Sequence, residues 1–405
     1  MRNQDFTLSN KTMSLVIVLL TLCTGIEAQA GSTPLETNQI KLHSSVIEED
    51  VTLRISLPAG YDKTSRDYPV IYLLDGELFM NQAVSAMEFL NNTGYSASLV
   101  PAHIIVGITT QDRDHSLTPT RDEQFEDLSF PTSGGGPKFL EFLSTELFPY
   151  IHEQYRCNDH DTLAGWSLGG LFTTWTYLTH PSTCDKYLAI SPSLWWDDGY
   201  VIKLAEESVT EQKRNDATLV VTLGSLEKGN MEKSVKMAFV PFMDNQGQSV
   251  NYRFIEIDGE SHNTSPYISL YRGLRSLHQL ATIPEHIINA DMETQRAYML
   301  NLASSRGLPT KSTDAACEAL IKLAVRQGSY DVGLQVGLMY AEKLSTASKP
   351  MLLLGELYFR LDRQEDSVAA FKAAIDRENS MDNPDQESLK YYNEYLNWIL
   401  EQKNS

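Results

Sequence analysis

One short run of residues stands out for chemistry. Gly165-Trp166-Ser167-Leu168-Gly169 reads G-x-S-x-G, follows a short apolar stretch at 162–164 and precedes an apolar helical pattern over 171–178. Strand, sharp turn and helix are the setting in which a serine is lifted clear of a sheet to act as a nucleophile. Glycines at 165 and 169 leave room where a Cβ would clash, and the turn feeds a helix N-terminus. A glycine-rich turn with a bystander serine would spell the same string, so the catalytic reading depends on what else the chain supplies.

A serine hydroxyl needs a base to take its proton and a group to orient that base. Four histidines follow Ser167: His180, His262, His278 and His286. His180 closes the elbow helix, His278 sits within a helical pattern and His286 lies past a change in chain character. His262 falls in Asp258-Gly259-Glu260-Ser261-His262, a loop just beyond a strand pattern at 252–257, where such a base belongs. The acid is expected after the penultimate strand, which makes Glu227 the leading candidate. Asp197 or Asp198, after the strand pattern ending near Ser191, is the rival, and a Ser-His pair without an acid is the third option. An oxyanion needs two backbone N–H donors. Leu168 would supply one, and Gly76 or Glu77 the other, from the turn that ends the apolar run 68–74.

Those residues need a frame. Residues 51–57 alternate like an edge strand, while 68–74 and 102–108 are nearly continuous apolar runs. Phe139, Phe142, Leu143, Leu147 and Ile151 share a helical face. Further strand patterns at 187–190, 218–223 and 252–257 alternate with helical segments, so the expected fold is α/β with a mostly parallel sheet covered on both faces. After Ile283-Pro284 the strand signal stops and the chain turns helical. The expected division is a leader over 1–30, a catalytic domain over 31–282 and an all-α domain over 283–405.

Composition excludes several classes. The 405-residue chain is 42% hydrophobic and carries a formal charge of −20, so it is globular and would repel phosphate backbones and anionic lipid. No nucleic-acid partner is expected. Arg2 and Lys11 precede an apolar run from Met13 to Cys23, and Ala28-Gln29-Ala30 offers a small-x-small cleavage pattern. That reads as an export signal, with a short uncleaved anchor as the alternative. The mature chain would be periplasmic or secreted, with no stable membrane span. Cys157, Cys184 and Cys317 then remain, an odd number. Cys157 and Cys184 each precede a strand pattern and are expected either to bridge or to stay as buried thiols.

Residues 50–280 resemble the esterase group of the α/β-hydrolase superfamily that includes enterochelin-type siderophore esterases. The resemblance rests on Leu73-Leu74-Asp75-Gly76, Arg113 with Leu117-Thr118-Pro119, Phe142-Leu143 through Pro149-Tyr150-Ile151, the elbow, Ser191-Pro192-Ser193-Leu194-Trp195-Trp196, Gly259-Glu260-Ser261-His262 and Tyr271-Arg272-Gly273-Leu274. It implies an α/β-hydrolase fold and hydrolysis of small-molecule esters by a serine nucleophile, with no metal or organic cofactor. It does not imply a particular substrate. The tail resembles the tetratricopeptide repeat: Gly328 to Gly333 recurs as Asp362 to Ser367, 34 residues on, with Leu354, Gly355, Tyr358, Phe371 and Ala374 at matching positions. Such units are expected to pack on the first domain or to recruit a protein partner.

Two further features invite a reading. Trp195 and Trp196 would either wall a substrate pocket or divide between core and rim. The run 125–137, with Ser133-Gly134-Gly135-Gly136, reads as a flexible linker. The expected function is an exported serine esterase. Thioester or peptide cleavage by the same groups, or an inert binding protein that presents the repeats, are the alternatives.

Overall fold

The computed structural model describes residues 37–91, 99–121, 130–211, 217–246, 251–280, 283–306 and 308–403. The expected export segment at 1–30 lies outside the described residues. Eight strands form one sheet: β1 (Thr37–His43), β2 (Asp50–Ser56), β3 (Tyr68–Leu74), β4 (Ile104–Thr109), β5 (Cys157–Trp166), β6 (Lys186–Ile190), β7 (Thr218–Gly224) and β8 (Asn251–Ile257), in the order β1-β2-β4-β3-β5-β6-β7-β8. β2 is antiparallel to both its neighbours, and from β4 to β8 every pairing is parallel. The expected α/β class with a mostly parallel sheet and a helical tail is the observed one.

The apolar runs form strands because each is covered on both sides. All seven residues of β3 are buried. Val70, Tyr72 and Leu74 face one packing layer, and Ile71 and Leu73 the other, as the two-residue period of a strand requires. Helices α1 (Gly76–Asn91) and α3 (Ser265–Leu277) cover the second face through Met80, Val84, Leu270 and Leu274. The first face is covered by α2 (Leu168–Thr179), by a helical run over 136–154 and by segments bearing Val201 and Phe239.

Two expectations are corrected, and the open alternative for the cysteines is decided. Residues 51–57 are not at the edge: β1 pairs along the whole of β2, from Thr37↔Ser56 to His43↔Asp50. β1 is too polar to show a strand period, which is how an exposed edge is kept from further pairing. The thiols of Cys157, Cys184 and Cys317 are all free, although β5 and β6 are neighbours. The triple glycine is no loose linker. A Cβ at Gly135 would lie 2.3 Å from the His115 ring and one at Gly136 2.8 Å from Thr118 O, so this segment is packed against its neighbours; 125–129 fall outside the described residues.

The tail forms antiparallel helices, among them α4 (Thr313–Gln327), α5 (Tyr330–Met339), α6 (Lys349–Arg360), α7 (Gln364–Asn379) and α8 (Gln386–Lys403). Ser367 Oγ donates to Gly355 O at 2.7 Å, tying α7 to α6. The tail is joined to the sheet region through Gln327, whose Oε1 accepts from Leu280 N at 2.9 Å. Its Nε2 donates to His278 O at 2.8 Å and to Leu99 O at 3.2 Å. No helix among the described residues is long and apolar enough to cross a membrane.

Candidate active site

The elbow forms where β5 ends and α2 begins. Ser167 has φ 58° and ψ −113°, a conformation that L-residues avoid and that only surrounding structure can impose. Three backbone bonds impose it: Ser167 N donates to Ile190 O at 3.0 Å, while Ser193 N and Leu171 N donate to Ser167 O at 3.1 and 2.9 Å. Gly165 is required, because a Cβ there would lie 2.4 Å from the backbone of Gly169. The side chain of Ser167 is thereby left partly exposed beyond the C-terminal edge of the sheet.

His262 reaches Ser167 from the loop after β8, with Nε2 3.1 Å from Ser167 Oγ. Its backbone carbonyl accepts from Trp166 Nε1 at 3.0 Å, and the two rings lie 4.7 Å apart. The neighbouring loop after β7 delivers Glu227, whose Oε2 is 2.8 Å from His262 Nδ1. The loops meet closely: Leu226 N donates to Glu260 O at 2.9 Å, and a Cβ on Gly224 would lie 2.4 Å from that same oxygen. The other oxygen of Glu227 accepts from Gly224 N at 2.8 Å and from Ser191 Oγ at 2.7 Å. Burial pushes the Glu227 carboxyl upward, but the bonds from His262, Ser191 and Gly224 outweigh it and hold it below its ordinary value. An ionised carboxylate only accepts, so Nδ1 of His262 carries a proton, and in the neutral imidazole Nε2 is the acceptor that faces Ser167.

The rival acids stand elsewhere. Asp197, Asp198 and Gly199 have φ of 47°, 50° and 74°, a left-handed stretch, and the Nδ1 of His262 that an acid would hold is taken by Glu227. Asp198 is 92% exposed and pairs with Lys203 at 2.9 Å. Trp196 is fully buried, its Nε1 donating to Thr120 O at 3.2 Å and its ring edge-on to Phe130. A side chain with no exposed surface cannot wall a pocket, which corrects that expectation for Trp196; Trp195 alone of the two keeps exposed surface.

β3 and β5 are neighbours, so the turns at their C-terminal ends lie side by side. The first backbone N–H groups of α1, at Gly76 and Glu77, and of α2, at Leu168, lie in first helical turns and so have no partner within their helices. Asp75 stands at the entry to α1 with φ 56°. Arg113 grips it in two places, Nε to Oδ1 at 2.6 Å and Nη2 to Oδ2 at 2.8 Å, and Nη2 also donates to Trp166 O at 3.3 Å. Arg113, Ser191 and Ser193 all lie in stretches that carry the family resemblance, but their spacing alone assigns them no part. Each acts on a residue distant in the chain.

A family model described as "Putative esterase" matches residues 44–265. The chain belongs to this esterase family. Among curated relatives, ferri-bacillibactin esterase BesA of Bacillus subtilis is 28% identical over 236 residues, covering 54% of this chain and 79% of the relative. The siderophore triacetylfusarinine C esterase of Aspergillus fumigatus is 27% identical over 194 residues, 44% of this chain and 65% of the relative. Among solved structures, an IroE-like serine hydrolase from Shewanella oneidensis superposes with a TM-score of 0.57 at 26% identity, covering 74% of this chain and 98% of that one. With that family membership, the esterase is a carboxylic-ester hydrolase.

Proposed function

We propose that this esterase works through Ser167, His262 and Glu227 by way of an acyl-enzyme. The single observation that carries the reading is His262 itself, with one ring nitrogen 2.8 Å from a buried carboxylate and the other 3.1 Å from the elbow hydroxyl. Ser167 Oγ attacks the ester carbonyl as its proton passes to His262 Nε2. Glu227 holds the tautomer that makes this possible and stabilises the imidazolium that results. The amides of Leu168 and of Gly76 or Glu77 receive the oxyanion. His262 then gives its proton to the leaving alkoxide. Water, deprotonated by the same nitrogen, attacks the acyl group, and the bond to Oγ breaks to release the acid.

The relatives named for siderophore hydrolysis support a siderophore ester as the natural substrate class. The run over 1–30 supports an exported chain, with a catalytic domain to residue 282 and a tetratricopeptide-like domain from 283. The test is kinetic. Ser167→Ala should fold yet lose turnover on a short-chain 4-nitrophenyl ester by about 10⁴ or more. It should also escape labelling by a fluorophosphonate. A variant that keeps a tenth of the wild-type rate removes Ser167 from the mechanism. A panel of alkyl esters, aromatic esters and siderophore lactones then tests the substrate class.

A further inference from the structure

Ser193 Oγ lies 3.2 Å from Ser167 Oγ, in a residue only 2% exposed. We propose that Ser193 is a further catalytic residue, whose hydroxyl donates a hydrogen bond to the nucleophilic oxygen of Ser167. The inference rests on the reading of Ser167 as the nucleophile.

The direction of the bond follows from counting protons. Glu227 accepts from His262 Nδ1, so in the neutral imidazole that serves as the base Nε2 carries no proton and can only accept. Its partner is Ser167 Oγ, which has one proton to give and gives it there. In the contact between the two hydroxyls, Ser167 therefore accepts and Ser193 donates. Burial leaves little water to compete for the Ser193 proton, and a low local dielectric strengthens the bond.

The backbone shows that the contact is built. Ser193 N donates to Ser167 O at 3.1 Å, so main chain and side chain grip the same residue. Two residues earlier, Ser191 Oγ donates to Glu227 Oε1 at 2.7 Å and lies 3.0 Å from Ser265 Oγ. The tripeptide Ser191-Pro192-Ser193 thus touches both ends of the Glu227–His262–Ser167 row. Ser191 supports the acid and Ser193 the nucleophile.

During acylation Ser167 loses its proton to His262 while its electron pair forms the bond to the carbonyl carbon. Ser193 keeps its own proton and steadies the charge that builds on Oγ. During deacylation the acyl carbon–Oγ bond breaks, the pair returns to Oγ, and His262 Nε2 returns the proton. Ser193 donates to the same oxygen as it leaves. A hydrogen bond to a group that becomes charged stabilises more than one between neutral groups, so it favours the transition state over the ground state.

The test uses the full-length chain and a short-chain 4-nitrophenyl ester. Ser193→Ala should lower kcat by about 10- to 100-fold with KM changed by no more than about twofold. It should slow fluorophosphonate labelling of Ser167 by a similar factor and leave Tm within a few degrees. Ser193→Thr, which keeps the hydroxyl, should recover most of the rate. An Ala variant with more than about half the wild-type kcat overturns the proposal. So does an equal loss in the Ala and Thr variants accompanied by a fall in Tm, which would mark a packing role. If the Ala variant does not fold, Ser193→Cys offers a side chain of similar size and a weak donor. It should be slow, and a Cys variant as fast as wild type overturns the proposal. Ser167→Ala run in parallel separates the two readings. Activity in that variant sinks the nucleophile assignment, whereas an inactive Ser167→Ala beside a fast Ser193→Ala sinks only the role of Ser193.

Discussion

Arg113 and Asp75 form a two-pronged ion pair, 2.6 and 2.8 Å, whose guanidinium also donates to the carbonyl of Trp166 immediately before Ser167. One side chain thereby connects three segments: the residue that opens α1, the end of β5, and the stretch after β4 that carries the arginine. The side chain of Asp75 is only 3% exposed. A carboxylate so buried is tolerated because its counter-charge is held in fork geometry, which a lysine could not reproduce.

Removing that counter-charge should be costly. Arg113→Gln is expected to destabilise the chain by about 3 kcal/mol, because it leaves a buried carboxylate without a partner. Activity should fall with it, since the elbow and the first turn of α1 lose their common tether. Asp75→Asn in the Arg113→Gln background should cost less than in the wild type. Urea denaturation of the four proteins measures this; strictly additive costs would show that the pair is not coupled.

The two candidate acids separate by substitution. Glu227→Gln removes the acceptor that holds the His262 tautomer and should lower kcat by about 10²-fold or more, with the fold intact. Asp197→Asn should retain nearly all activity, because His262 Nδ1 is already held by Glu227 at 2.8 Å. Steady-state kinetics on one ester decides it, and the reverse ranking would move the acid to the earlier loop.

Acid should loosen the chain through a pair of buried imidazoles. His103 and His278 are nearly inaccessible and lie edge to face, with ring centroids 4.8 Å apart. His103 Nδ1 meets Pro101 O at 2.6 Å, and neither nitrogen of His278 has a partner among the described residues. Burial lowers the His103 pKa to about 3 and holds His278 well below its ordinary value, with Lys186, Arg306 and His160 adding like-charge repulsion. Both groups titrate lower when folded than when unfolded, so the stability each contributes is complete above about pH 6.5 and drains away as pH falls below that value, for His103 toward about 3. His278→Phe, similar in size and unable to titrate, should flatten the dependence of stability on pH between about 6.5 and 4, by up to roughly 1.4 kcal/mol per pH unit. Thermal unfolding across that range measures the slope, and an unchanged slope would exclude His278 as its source.

The helical tail should contribute stability without entering the chemistry. Gln327 is buried and satisfies three backbone groups, at Leu280, His278 and Leu99. Gln327→Leu leaves all three unpaired and should cost about 2 kcal/mol or more. kcat per folded molecule should stay near the wild-type value. A large loss of kcat at full folding would instead tie the tail to the site.

The local pattern of residues determined the parts of this protein that depend on near neighbours. Alternation and continuous apolar runs marked β3, β4, β6, β7 and β8, because burial on one or both faces of a sheet leaves its period in the chain itself. Gly165 announced a turn too tight for a Cβ, whereas at Gly169 a Cβ would meet its nearest atoms at an ordinary 3.4 Å, which corrects the expected clash there, and His262 was legible from its place after the last strand. β1 escaped notice because a polar edge strand has little burial to record. What tertiary structure decided was how segments distant in the chain converge. Glu227, and not Asp197 or Asp198, meets His262 Nδ1 because the loops after β7 and β8 join through Leu226 and Glu260. Trp196 went to the core while Trp195 kept exposed surface, Cys157 and Cys184 stayed free thiols, and Gly135 and Gly136, where the 136–154 run begins, packed against His115 and Thr118. Arg113, Ser191 and Ser193 acquire their places only through partners 38, 36 and 26 positions away. No periodicity encodes such contacts; they form when parallel strands bring their C-terminal ends to one edge.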